Sequence, residues 1–154
     1  MSRTRLLVSV LALLCFVAAC ASPPTDDQIR SELRRAAVGV RGIGSKPRLV
    51  VINMQTRMEA WSHLAESAAE GPSTRARAVG RDFKRGRRQR VGVVIGGPQA
   101  DYVDRFVRDA FEAAGPDKLP GLAVVVVSPD PPSDWLRRAA MERGAKLVHR
   151  LYHR

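Results

Sequence analysis

One pattern recurs three times along the chain. Residues 48–53 (RLVVIN), 90–95 (RVGVVI) and 122–127 (LAVVVV) are short, β-branched apolar runs. Each is followed by a stretch of helical spacing, over 56–70, 99–114 and 133–143. The runs are continuous rather than alternating, which suits strands buried on both faces of a helix-covered sheet. Strand–helix alternation at this spacing predicts right-handed βαβ units and at least three parallel strands. A fourth run, 146–151 (KLVHRL), alternates Leu147, His149 and Leu151 with Val148 and Arg150. That pattern predicts an edge strand, open to antiparallel pairing. The expected fold class is α/β, a three-layer-like domain of three to four mostly parallel strands.

The helix over 99–114 carries the clearest signal. Tyr102, Val103, Phe106, Val107, Ala110, Phe111 and Ala114 form one stripe, with charged residues opposite. Asp101–Arg105 and Asp104–Arg108 are spaced as acid-first i,i+4 pairs, and Gly115-Pro116 stops the helix. A shorter helix is expected over 28–38, capped by Asp26 or Asp27 and broken by the Gly-rich segment 39–47.

The start of the chain has a different character. Arg3 and Arg5 precede an apolar run over 6–19 (LLVSVLALLCFVAA). This has the length of a signal-peptide core and falls short of the roughly 20 residues of a membrane span. The run ends in Val17-Ala18-Ala19-Cys20, which resembles the lipobox of bacterial lipoproteins. The resemblance covers about the first 20 residues. It implies cleavage before Cys20, diacylglycerol on its sulfur and usually an N-linked acyl chain such as palmitate. Two or three acyl chains make a stable anchor where one is marginal. Ala21, in place of Asp, implies sorting to the outer membrane with the domain on its periplasmic face, in preference to the inner membrane. The expected organisation is a signal peptide over 1–19, a lipidated tether with a short helix over 20–45, and a periplasmic α/β domain over 46–154. Cys15 falls in the removed segment, so the mature chain would keep Cys20 alone and form no internal disulfide.

The net charge is +11, and removing Arg3 and Arg5 with the first 19 residues lowers it to +9. The excess is carried by arginine, whose planar fork suits phosphate and carboxylate. It is concentrated in 71–90, as Arg75, Arg77, Arg81, Lys84, Arg85, Arg87, Arg88 and Arg90, with Asp82 the sole acid between residues 75 and 90. Gly71-Pro72, Gly80 and Gly86 in this stretch predict a mobile surface loop or a fraying short helix. Its expected partner is an anionic envelope surface or an acidic protein. Nucleic acid is disfavoured, because only Phe83 accompanies the cations as a stacking platform.

Parallel strands bring the loops after them to one edge, the usual ligand crevice. Those loops offer Asn53, Gln55 and Thr56, then Gly96, Gly97 and Gln99, then Ser128 and Asp130. Gly96-Gly97 before a helix would let backbone amides face an anion. Neither G-x-G-x-x-G nor a P-loop is present, and no G-x-S-x-G elbow occurs. His63, His149 and His153 lack neighbouring ligands at metal spacing. The sequence therefore predicts no enzyme, no cofactor and no metal. It points to a membrane-anchored accessory or structural component of an envelope assembly, such as a secretion, conjugation, pilus or polysaccharide-export machine. The alternative is a periplasmic binding module for a small anion or glycan at the loops after the strands. Self-association into a homo-oligomer is compatible with either.

Overall fold

The computed structural model describes residues 23–54, 58, 62, 65 and 69–153. It contains α1 (Asp26–Ala37), β1 (Arg48–Val51), α2 (Thr74–Arg85), β2 (Val91–Gly96), α3 (Ala100–Ala114), β3 (Leu122–Ser128), α4 (Asp134–Glu142) and β4 (Lys146–Leu151). Between β1 and α2, the described residues Met58, Ser62, Ala65, Ala69 and Glu70 are helical. The rest of the helix expected over 56–70 lies outside the described residues, as does the lipobox.

The fold is α/β, with one four-stranded sheet in the order β1-β2-β3-β4. All three pairings are parallel. The antiparallel option for the last strand is thus corrected. α4 carries the chain from the end of β3 back to the edge where strands begin, so β4 must run with its neighbours. It does lie at the sheet edge, with no fully buried residue.

Strand order decides the layers. Three right-handed crossovers between successive neighbours must all fall on the same face of the sheet. α2, α3 and α4 accordingly share one core, in which Phe83, Phe106, Phe111 and Leu136 meet Val93, Ile95, Val124 and Val126. The other face is left to α1 and the segment behind it, with Ile29, Leu33, Val40 and Ile43 against Val94, Val125 and Val127. Both cores are built from residues between 29 and 152. The segment after α1 lies directly on the sheet: a Cβ at Gly92 would sit 1.7 Å from the Ile43 carbonyl oxygen.

The basic segment 71–90 is the main correction. Most of it is α2, a 12-residue helix rather than a loop. Ser73 accepts from the Ala76 amide at its start, and Gly86 closes its end. Ala76, Val79, Gly80 and Phe83 turn inwards at helical spacing and are buried. Gly80 is a packing residue and not a breaker. A Cβ there would meet the Ala113 Cβ at 2.7 Å and the Ala110 carbonyl oxygen at 2.8 Å, so glycine lets α2 lie close on α3.

Two local expectations also change. Thr25, not Asp26 or Asp27, caps α1, in a reciprocal box with Gln28 (3.3 and 2.8 Å). On α3, Arg105 pairs with Asp109 at 2.8 Å and Arg108 with Glu112 at 3.1 Å. Asp104 is drawn away from Arg108 because it binds the backbone amide and hydroxyl of Ser133, both at 2.8 Å.

Candidate functional site

Helices α1 to α4 each start at the edge where strands end and finish at the edge where strands begin. Contacts fix each of them. Asp26, first in α1, accepts from Asn53 just after β1. Arg75, near the start of α2, donates to the Val51 carbonyl, and Gly86 at its end accepts from Gly121 before β3. α3 begins after β2, and Gly115 behind it accepts from Arg143, the residue following α4. The molecule therefore has two poles, a strand-end pole and a strand-start pole.

The strand-end pole holds the ligand loops expected from the sequence. A strand order that never reverses leaves no switch point in the sheet, and with it no crevice of the doubly wound kind. Gly96 and Gly97 form no anion cradle, which corrects that expectation. The Gly97 amide donates to the Val127 carbonyl (3.0 Å), and the Gly96 carbonyl accepts from Ile52 (2.8 Å). A Cβ on Gly97 would lie 1.8 Å from the Ile52 carbonyl oxygen. These glycines close the sheet edge. Gln99 precedes α3 without a side-chain cap. Ser128 is buried, its hydroxyl donating to the Asp130 carbonyl at 2.6 Å, while Asp130 itself is exposed. The Ser128 carbonyl faces His149 Nε2 at 3.1 Å. Among the described residues, no three His, Cys, Asp or Glu side chains gather as metal ligands.

Asn53 lines a cleft. It has about 460 Å³ of free space between the starts of α1 and α2, the end of β1, and α3. Asn53 donates to Asp26 at 2.5 Å, and its own oxygen is buried with no partner among the described residues. Arg30 and Arg75 flank the cleft. The Arg75 guanidinium is held by the Val51 carbonyl at 2.6 Å and lies 5.9 Å from the centre of the Phe106 ring. Sequence reasoning left Arg75 in a loop or a fraying short helix and missed this position. Ser73 three residues before Ala76, followed by Val79 and Phe83, was the available signal for a helix start. Gln55, Thr56 and His63 lie outside the described residues.

The basic residues form a second site along α2 and below it. Arg77, Arg81, Lys84, Arg85 and Arg88 recur at three- and four-residue steps on the outward face, opposite the buried stripe. All eight expected cations are exposed. Four are occupied within the fold. Arg75 and Arg77 bind main-chain carbonyls, Arg85 faces Asp82 at 3.5 Å, and Arg87 faces Asp117 at 2.9 Å. Arg81, Lys84, Arg88 and Arg90 have no acidic partner among the described residues. Asp82 is also bound by Arg48, the first residue of β1. A rigid helix thus presents its cations in a fixed row, where a loop would present them singly.

No helix among the described residues is long and apolar enough to cross a membrane. No family model, no curated protein and no solved structure matches this chain.

Proposed function

We propose that this chain is an exported lipoprotein, held by lipid on Cys20 at the periplasmic face of an outer membrane. Its α/β domain then serves as an accessory part of an envelope assembly, by binding and not by catalysis. The observation that supports this reading best is the outer face of α2. Arg81 and Lys84 on this helix, and Arg88 and Arg90 just beyond it, have no acidic partner among the described residues, and the helix is anchored through Ala76, Val79 and Phe83. Such a surface attracts anions from outside. Mass spectrometry of the mature protein tests the anchor. Loss of residues 1–19 and a di- or triacylated Cys20 are expected, and Cys20→Ala should abolish both. An unmodified Cys20 or a retained leader would sink the proposal.

A second reading rests on the cleft at Asn53, where Arg30 and Arg75 flank a buried amide oxygen with no partner among the described residues. It suits a small anion carrying a hydrogen-bond donor. A rise in melting temperature with added anion, lost in Arg75→Ser, would support it. An unchanged melting temperature across carboxylates, phosphates and acidic sugars would remove it.

A further inference from the structure

The fold sorts charge between its poles. α1, α3 and α4 carry acids in the first turn, and α1 and α2 carry bases in the last. Because α1 to α4 point the same way, these local preferences accumulate. Asp26, Asp27, Asp101, Asp104 and Asp134 collect at the strand-end pole, beside Arg30, Arg75 and Arg77. The strand-start pole collects Lys84, Arg87, Arg88 and Arg90 on one face of the sheet, and Arg41 and Lys46 on the other. Of the acids there, Asp82 is committed to Arg48 and Arg85, Asp117 to Arg87 and Glu112 to Arg108, while Glu142 is exposed.

The tether leaves from the opposite pole. Cys20 lies six residues before Asp26, a reach of about 20 Å when extended. α1 then runs about 18 Å towards the basic pole. A lipid on Cys20 therefore sets the acidic pole against the bilayer and turns the basic pole away from it. The basic pole could touch that bilayer only if the tether stretched fully along the flank of the domain.

The chemistry of this pole narrows its partner. Among the described residues, α2 itself exposes no aromatic or large aliphatic side chain, and Met141 of α4 is an exposed apolar residue on this face of the sheet. Interfaces between folded proteins draw their affinity from such anchors, and stacked bases need aromatic platforms. What remains is a row of cations, mostly forked guanidinium groups, spaced by about 5.4 Å per helical turn. We infer that the basic pole binds a linear anionic glycan, presented to it from the side away from the anchoring membrane. The orientation rests on the anchor proposed above; the binding chemistry does not.

The test uses residues 20–154 with Cys20→Ser, which contain both cores, and heparin as a linear anionic glycan. Arg81→Ser/Lys84→Ser/Arg88→Ser should weaken heparin binding at least tenfold with helix content retained. Arg81→Lys/Arg88→Lys should keep most of it. Arg137→Ser/Arg138→Ser/Arg150→Ser removes as many exposed cations elsewhere and should cost less than twofold. An equal loss in both triple variants would overturn the site in favour of diffuse net charge. Tighter binding to poly-glutamate, to single-stranded DNA or to phosphatidylglycerol vesicles than to heparin would overturn the glycan. For orientation, the lipidated chain in phosphatidylcholine vesicles should bind heparin within twofold of the unanchored chain, and blocked binding would overturn it. Failure of lipidation itself is read separately, from the mass of the mature N-terminus, and leaves the solution comparison intact.

Discussion

Arg48 and Asp82, 34 residues apart in sequence, form an ion pair that fastens the first residue of β1 to the middle of α2. Asp82 is the only acid on that helix, and it also faces Arg85 at 3.5 Å. Asp82→Asn should cost about 1 kcal/mol, the scale of a partly exposed pair. It would leave two more cations unbalanced at the basic pole. Urea unfolding should show the loss, and binding of heparin should strengthen in the same variant. Weakened binding would mean that Asp82 orders the basic row instead of competing with its ligand.

Gly80 offers a test of sign. On an exposed helix, replacing Gly with Ala gains up to about 1 kcal/mol. Here the new Cβ meets the Ala113 Cβ and a backbone oxygen of α3, both under 3.0 Å. Helix α2 must lift off its neighbour, so Gly80→Ala should destabilise by about 1–3 kcal/mol. A stabilised variant in the urea transition would show that the helix–helix contact is looser than described.

Phe83 and Arg81 sit two residues apart and should behave as opposites. Phe83 is fully buried and packs edge-on against Phe111, with ring centres 4.9 Å apart. Phe83→Ala should cost about 3–5 kcal/mol. Arg81→Ala, on the exposed side, should shift stability by less than about 0.5 kcal/mol. Similar small effects at both positions would return this segment to a surface loop.

Asn53 joins α1 to the end of β1 through Asp26. Asn53→Asp replaces that hydrogen bond with two facing carboxylates, and about 1–2 kcal/mol should be lost at neutral pH. Thermal unfolding should recover in part on acidification, as one carboxyl takes a proton and donates to the other. A pH-independent loss would assign the effect to the buried amide oxygen instead.

What could be read from the sequence followed the strength of each local signal. The strand runs and α3 were legible because their apolar residues are contiguous or fill a whole stripe. α2 was hidden because only Ala76, Val79 and Phe83 mark its inner face among eight cations, and Gly80 reads as punctuation until Ala113 is opposite it. The direction of β4 depends on the crossover before it, not on its own alternation. The role of Asp104 depends on Ser133, 29 residues away, so helix spacing alone assigned it the wrong partner. Gly96-Gly97 looked like a phosphate turn, but the ladder to Val127 had already taken its amide.

The shared direction of the four helices has a kinetic consequence. The half-charges at the helix ends oppose the side-chain charges, but whole charges outweigh them, and the separation spans about 20 Å. A molecule so divided experiences a torque in the field of any polyanion within about a Debye length, some 8–10 Å. It would rotate before it touches, arriving with Lys84, Arg88 and Arg90 leading and Asp26 trailing. Encounter would then be fast and steeply slowed by salt, while dissociation would depend on the few contacts made afterwards.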